Sequence, residues 1–189
     1  MSNVLGLAVL SLLAERPMHP YEMASTIRRR SKDAAIKVTY GSLYSVMRAL
    51  TVAGFITPRE TERRGGRPER TVYALTPAGG AEGRRWLRTL LRAPVKEYRS
   101  FEGAVALMTL LAPADVATLL AERVALLDDA AIQLRYGLET VKKAGVPRLA
   151  TIEREYALAM CEAERAWAAG LARLIGKSAA FTRSWPPEH

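Results

Sequence analysis

Apolar residues recur at helical spacing along most of the chain, and proline, glycine and hydroxyl residues divide this pattern into separate elements. In the first third, the pattern predicts helices over residues 3–15, 20–30 and 39–53, with a possible short strand at 36–38. The first helix is apolar on nearly every side, which predicts that it is buried. Three helices separated by short breaks are typical of a helix-turn-helix arrangement.

The third helix has two faces of different character. Leucine, valine and methionine recur along one side at i, i+3, i+4 and i+7, so that side is predicted to pack against the protein. The opposite side is small, hydroxylated and singly charged, and such residues can reach phosphates and base edges of DNA. An ordinary surface helix would show the same pattern. The residues on this polar side and its flanks are Gly41, Ser42, Tyr44, Ser45, Arg48 and Val52.

A two-stranded hairpin is predicted directly after this helix. Residues 55–63 have the composition of a strand, Gly65-Gly66 marks a turn, and residues 69–75 form the return strand. Pro58 restricts the first strand to a sheet edge or a bulge. Arginines at the tip of such a wing would lie over the DNA backbone or enter the minor groove, and a solvated turn is the alternative. These residues are Arg63, Arg64, Arg67 and Arg70.

The second half of the chain is predicted to be almost entirely helical. Helices are expected over residues 77–91, 101–111 and 113–144, and Gly145-Val146-Pro147 separates the long helix from a last one. Apolar residues at alternating spacings of three and four form a coiled-coil seam in the long helix, and the last helix repeats this spacing. Packing within one chain and packing between two chains both remain open. The residues expected at a dimer interface are Leu120, Val124, Leu127, Leu134, Leu138, Ala159 and Ala163.

The charge is distributed unevenly between the two halves. Residues 1–95 hold 16 Lys and Arg against 7 Asp and Glu, whereas residues 96–189 hold 12 of each, so the whole excess of +9 lies in the first half. A basic half joined to a neutral half is typical of a polyanion-binding module attached to a module with another role. Four of the basic residues end the second helix, where they can meet either phosphates or solvent: Arg28, Arg29, Arg30 and Lys32.

The combined pattern predicts two domains and a tail. We expect a winged helix DNA-binding domain over residues 1–95, a helical dimerisation domain over 96–178 and a flexible tail over 179–189. Hydrophobic residues make up 49% of the chain, and its single cysteine, Cys161, excludes an intramolecular disulfide. The apolar run 4–14 is too short to cross a bilayer and lacks the positively charged start of a signal peptide. A cytoplasmic protein is therefore expected.

Residues for catalysis or cofactor binding do not form a recognisable set. The sequence contains neither G-x-x-x-x-G-K-[ST] nor G-x-G-x-x-G, and its 2 histidines and single cysteine offer no standard zinc site. We therefore expect no enzyme activity, no cofactor and no metal. Several aromatic and methionine side chains can either line a pocket for a small planar effector or pack in a core. They are Trp86, Tyr156, Met160 and Trp167.

Six short motifs occur in a fixed order along residues 4–80. They are Leu5-Gly6-Leu7, Pro17-Met18-His19-Pro20-Tyr21-Glu22-Met23, Gly41-Ser42-Leu43-Tyr44, Gly54-Phe55-Ile56, Gly66-Arg67-Pro68 and Leu75-Thr76-Pro77. This set resembles the winged helix-turn-helix of the PadR family of bacterial transcriptional regulators. The long helical second half resembles the larger PadR subgroup, which has a helical dimerisation arm. Two residues depart from the family pattern: Pro20 replaces a usual glycine, and Ser45 replaces a common proline.

The resemblance implies a mainly α-helical fold, with an N-terminal winged helix-turn-helix of three helices and a two-stranded wing, followed by a helical dimerisation arm. It also implies a homodimer that binds a pseudo-palindromic operator in double-stranded DNA, usually as a repressor. We further expect a small-molecule effector to release the repressor; the sequence does not identify it, and a small aromatic compound is one candidate. Two alternatives stay open, namely a winged-helix adaptor that binds protein and a regulator of the MarR type. The residues that would contact DNA are Thr39, Tyr40, Ser42, Tyr44, Ser45 and Arg48, together with the four wing arginines.

Overall fold

The computed structural model describes residues 3–59 and 71–185, which form helices and a two-stranded antiparallel sheet. They group into two compact units, Met1–Lys96 and Glu97–His189. Short 3-10 helices lie at Lys32–Ala34, Met108–Leu110 and Arg148–Ala150. In chain order the other elements are α1 (Val4–Glu15), α2 (Pro20–Arg29), α3 (Tyr40–Val52), β1 (Ile56–Arg59), β2 (Val72–Leu75), α4 (Pro77–Arg92), α5 (Ser100–Ala106), α6 (Pro113–Lys143), α7 (Ile152–Lys177) and α8 (Ala179–Thr182).

Helix α1 is the centre of the first unit. The Asn3 side chain begins the helix by accepting a hydrogen bond from the backbone N–H of Leu5 at 2.8 Å. Helices α3 and α4 and strand β2 all pack against α1. Because α1 is covered on several sides, apolar residues on more than one of its faces lie in the core, whereas Val4 and Ala14 near its ends are exposed. The buried ones are Leu5, Val9, Leu10, Leu12 and Leu13.

Helix α4 is fixed closely against the turn that leads into β1. The Thr76 hydroxyl accepts from the Gly79 backbone N–H at 3.0 Å and donates to the Gly54 carbonyl at 2.7 Å. A Cβ atom at Gly79 would lie only 2.0 Å from the Phe55 carbonyl oxygen, so this approach requires glycine. Trp86 is 6% exposed and packs edge-on against Phe55, with ring centroids 6.0 Å apart. These contacts hold the end of α3 and the start of β1 in a fixed position against α4.

The sheet forms the base of the predicted wing. Strands β1 and β2 pair antiparallel with Pro58 opposite Tyr73, and Met18 pairs with the other side of Tyr73. The strand considered at 36–38 is not formed. Strands need a hydrogen-bonding partner, and the segment at Met18 already occupies that side of β2. Ile36 and Val38 pack against the core instead.

The second unit is built on an antiparallel pair of long helices, α6 and α7. Gly145 begins the reversal between them with a φ of 72°, which glycine adopts without strain. Ion pairs join the helices along their length, including Arg123 with Glu164 and Arg135 with Glu162. Throughout residues 3–59 and 71–185, each helix is too short or too polar to span a bilayer. The core residues of this pair are Val116, Leu120, Ala168 and Ile175.

Two segments of the second unit differ from the sequence-based expectation. The helix expected over 101–111 is the short α5 followed by a 3-10 turn. The flexible tail expected from residue 179 contains α8, and the ring of Phe181 packs edge-on against Trp185. The Trp185 indole N–H also donates to the Leu111 carbonyl at 2.9 Å. These aromatic side chains cover the end of the helix pair, which explains why the segment up to residue 185 packs on it.

Candidate nucleic-acid interface

A reciprocal capping arrangement fixes the start of α3. The Thr39 hydroxyl accepts from the Ser42 backbone N–H at 3.1 Å, and the Ser42 hydroxyl accepts from the Thr39 backbone N–H at 3.1 Å. Such a capping box satisfies two backbone donors that a helix start leaves open. Both residues were predicted to contact DNA, and the structure gives their hydroxyls this positioning role in the free protein.

The outer face of α3 is exposed along its length. Leu43, Met47 and Leu50 are buried, as the periodicity predicts. Tyr44 is 52% exposed and Arg48 is exposed on the opposite side. Within residues 3–59 and 71–185, Arg48 has no carboxylate partner. A rigid helix thus presents polar side chains at spacings of about one turn, which is the form of element that enters a major groove.

An aromatic contact joins this face to the start of α2. His19 caps α2 by accepting from the Tyr21 backbone N–H at 3.1 Å, and Tyr21 is the second residue of that helix. The ring of Tyr21 stacks on the ring of Tyr40, with centroids 6.0 Å apart and planes 11° from parallel. The guanidinium carbon of Arg28 lies 5.4 Å from the Tyr40 ring centroid. Sequence periodicity describes one helix at a time, so it could not predict this cluster, whose members come from two helices.

The three consecutive arginines at the end of α2 have different surroundings. Arg30 donates two hydrogen bonds to the Glu15 carboxylate, at 2.6 and 2.7 Å. These bonds hold the pKa of Glu15 below its ordinary value and raise the pKa of Arg30. Arg29 donates to the Thr26 hydroxyl at 3.3 Å. In the sequence these arginines form one basic group, whereas in the structure each of them has different contacts.

The wing contributes an exposed base to the same unit. Arg59 is exposed at the last described position of β1. The arginines predicted at the tip of the wing, Arg63, Arg64, Arg67 and Arg70, lie outside the described residues. Their proposed contact with the DNA backbone stays a prediction.

The residues predicted at a dimer interface fall on two different faces of the second unit. Leu120 is buried in the seam between α6 and α7, with Val124 packed beside it. Leu127 is half-buried, and its carbonyl accepts from the Cys161 thiol at 3.4 Å. Leu134 and Leu138 are also half-buried on this helix. Leu120 and Val124 therefore belong to a seam within one chain, whereas Ala159 and Ala163 of α7 are exposed.

Helix α7 carries a second apolar stripe that no described part of its own unit buries. We call these residues the outer stripe: Ile152, Tyr156, Ala159, Met160, Ala163, Trp167 and Leu174. Tyr156 is 63% exposed and Trp167 is 50% exposed. Large exposed apolar side chains in a continuous row are typical of interaction surfaces.

Two of the four residues predicted to line an effector pocket come together. Met160 and Trp167 line a cavity of about 320 Å³ with Phe101, whose ring meets Trp167 edge-on at 5.9 Å. Tyr156 is exposed elsewhere on α7. Trp86 belongs to the core of the first unit, so the structure gives it a packing role.

The fold and the exposed third helix define a winged helix-turn-helix protein. Residues 9–85 match the model of the transcriptional regulator PadR-like family. This stretch contains α3 and both strands of the wing. The match covers 77 of the 189 residues, so residues 9–85 are similar to this family, which confirms the resemblance found in the sequence. No curated protein sequence matches the chain significantly.

Solved PadR structures have the same fold over nearly the whole chain. Bacillus subtilis PadR in complex with operator DNA is 21% identical, with a TM-score of 0.71, and the match covers 92% of this chain and 99% of that chain. The same protein in complex with p-coumaric acid is 18% identical, with a TM-score of 0.72 and coverage of 93% and 100%. The Streptococcus mutans protein smu.1604c is 23% identical, with a TM-score of 0.60 and coverage of 91% and 98%. The predicted fold class, including the helical second half, is confirmed.

Proposed function

We propose that this protein is a transcriptional regulator of the PadR family, which binds a pseudo-palindromic operator in double-stranded DNA as a homodimer and acts as a repressor. The observation that carries the proposal is the exposed outer face of α3, on which Tyr44, Ser45 and Arg48 extend from a capped and rigidly supported helix. The excess of +9 in residues 1–95 supplies the attraction to phosphates. The fold shared with Bacillus subtilis PadR, whose complex with operator DNA is known, supports the same assignment.

A gel shift against genomic fragments at two salt concentrations tests this proposal. A DNA-binding regulator should retain a subset of fragments and lose affinity steeply as salt rises, because bound cations are released from the phosphates. Arg48→Ala should weaken the selected fragments more than unrelated duplexes, whereas Arg67→Ala should weaken both alike. No binding at low salt would favour the alternative of a protein-binding adaptor.

The outer stripe of α7 is the proposed dimer interface. It is apolar and exposed, and Ala159 and Ala163 near its middle allow another helix to approach closely. A two-fold dimer would place two copies of α3 about one duplex turn apart, roughly 34 Å, as a palindromic site requires. Trp167→Asp should therefore convert the dimer to a folded monomer in sedimentation measurements. An unchanged sedimentation mass would place the interface on another surface.

The cavity beside Trp167 is the proposed site of a small aromatic effector. Phe101 and Met160 supply apolar walls, while Arg99 and Glu164 lie at its polar edge. Bacillus subtilis PadR has been crystallised with p-coumaric acid, so this compound is a reasonable first probe. Binding should shift tryptophan emission and release the protein from DNA. Val105 lines the same cavity and lies outside the outer stripe, so Val105→Glu should remove both effects and leave the dimer intact. Release that persists in Val105→Glu would assign the effector to another site.

The expected cellular location follows from the proposed role. A regulator that binds chromosomal DNA has to work in the compartment that holds the DNA, which is the cytoplasm in bacteria. Fractionation of cells that express the tagged protein would test this expectation.

A further inference from the structure

The stacked cluster of Tyr21, Tyr40 and Arg28 adjoins the polar face of α3 at its N-terminal end. We propose that these three side chains form one preorganised phosphate-binding unit, which sets the register of α3 on the duplex. The inference rests on the proposed DNA binding and deepens it, because it names a backbone contact that the outer face of α3 does not supply.

The geometry of the cluster limits the freedom of the arginine. A guanidinium close to an aromatic face is attracted by the ring quadrupole, and the Arg28 guanidinium lies 5.4 Å from the Tyr40 ring centroid. Tyr40 is in turn held by its stacking on Tyr21 at 6.0 Å. Both tyrosines are largely exposed, at 60% for Tyr21 and 43% for Tyr40, so the stack adds little to the core. The result is an exposed guanidinium next to the Tyr40 ring, with the Tyr21 ring stacked on Tyr40.

This combination of donors matches a backbone phosphate. Arginine donates in a planar fork that suits phosphate oxygens, and tyrosine hydroxyls are common donors to phosphates in protein–DNA complexes. A cation whose position is already restricted loses less conformational entropy when it binds. Double-stranded DNA presents phosphates at regular spacing along the groove that α3 would enter, and it is the occupant to which this unit is assigned.

The neighbouring arginines show why Arg28 is the residue that binds. Arg30 is neutralised by its two hydrogen bonds to Glu15, and Arg29 is directed toward Thr26. Throughout residues 3–59 and 71–185, no carboxylate forms an ion pair with Arg28. Arg28 alone of the three therefore combines an uncompensated charge with a contact to the first residue of α3.

The position of Tyr40 explains how a phosphate contact there sets register. Tyr40 is the first residue of α3, and Tyr44 and Arg48 follow it on the same side at intervals of one helical turn. A phosphate bound at Tyr40 would fix the depth and rotation with which Tyr44 and Arg48 meet the base edges. Contacts to phosphates position a protein without reading sequence, so the unit should act on every duplex alike.

A comparison of the three arginines tests the inference with full-length protein. Arg28→Gln should weaken binding about tenfold per half-site on both a selected fragment and an unrelated duplex. It should also lower the salt slope by about 0.9 per half-site. Arg29→Gln and Arg30→Gln remove the same charge, are matched controls, and should each change affinity less than about threefold. Equal losses for all three variants would overturn the proposal and indicate a diffuse charge effect.

The aromatic part of the unit is tested by a mutant cycle. Tyr40→Leu should lose nearly as much affinity as Arg28→Gln, Tyr40→Phe should lose much less, and the double variant should add little. A neutral methylphosphonate at one backbone position per half-site should weaken the parent protein and leave Arg28→Gln unchanged. Additive losses in the double variant, or the absence of any methylphosphonate position with this effect, would overturn the inference. In that case the parent protein still binds DNA, whereas failure of the proposed function itself would show as no binding by the parent.

Thermal unfolding of each variant provides the control for folding. The substituted side chains are exposed, so each melting temperature should stay close to that of the parent. If Tyr40→Leu is unstable, the comparison of Arg28→Gln with Arg29→Gln remains decisive, because neither change touches the core.

Discussion

The two units of the chain bury their apolar residues in different ways. In the first, α3, α4 and β2 pack against α1 and α2 packs against α3, so the apolar stripes are buried inside the same chain. In the second, α7 has one stripe that packs on α6 and an outer stripe that the described residues leave exposed. The first unit has a complete core of its own, whereas a two-helix layer cannot cover both sides of its helices. The difference supports the proposal that DNA contact and association use separate parts of the chain.

The largest expected effect is on the stability of the first unit, where Gly79 of α4 closely approaches the Phe55 carbonyl oxygen. Gly79→Ala would place a Cβ 2.0 Å from the Phe55 carbonyl oxygen, so α4 has to move away. We expect a loss of about 3 kcal/mol in the free energy of unfolding, measured by chemical denaturation. Gly80→Ala is the matched control, because its Cβ would have no neighbour closer than 3.5 Å. A parent-like Gly79→Ala would show that this unit is less tightly packed than its contacts indicate.

The two faces of α6 can be compared at adjacent leucines. Leu120 is 5% exposed in the seam, whereas Leu119 is 50% exposed. Leu120→Ala should lower the free energy of unfolding by about 2 kcal/mol, because it leaves a cavity against α7. Leu119→Ala should change folding by less than about 0.5 kcal/mol. Equal effects at the two positions would contradict the distinction between a covered and an open face.

The smallest expected effect is a pH dependence at the reversal between α6 and α7. Arg148 hydrogen-bonds to the Glu155 carboxylate at 2.7 Å and holds the pKa of Glu155 below its ordinary value. Since the folded pKa is the lower one, the pair stabilises the fold above the unfolded pKa of about 4.3. This contribution is lost as pH falls through the folded pKa. Glu155→Gln should therefore flatten the stability profile slightly in acid, as measured by thermal unfolding between pH 3 and 6.

Much of the first unit was predictable because local signals and tertiary contacts agree there. Thr39 and Gly54 mark the ends of α3, and Leu43, Met47 and Leu50 are buried as their spacing predicts. The close approach at Gly79 could not be read from the sequence, because it depends on a carbonyl 24 positions away. The cluster at Tyr40 was missed for the same reason, since Arg28 reaches it from another helix.

In the second unit, periodicity predicted helices but could not assign their faces. The heptad pattern in α6 is real, and Leu120 lies in its seam. The α7 pattern chosen from the sequence follows Tyr156 and Ala163, which are exposed, while the residues that face α6 include Ala168 and Ile175. Both sets obey the same alternating spacing, so no count of intervals can distinguish them. Only the depth of burial shows which set faces the chain's own partner helix.

The seam between α6 and α7 lies within one chain, and this has a consequence for the exchange of protomers between dimers. Because the seam joins segments that are close in sequence, it can form before two copies of the chain meet. In a dimer held by the outer stripe, dissociation would then release folded protomers that are ready to re-pair. Two differently tagged versions of the protein, purified separately and then mixed, should therefore exchange protomers and form hybrid dimers. A chain with a damaged α3 would then pair with intact chains and reduce their binding to DNA.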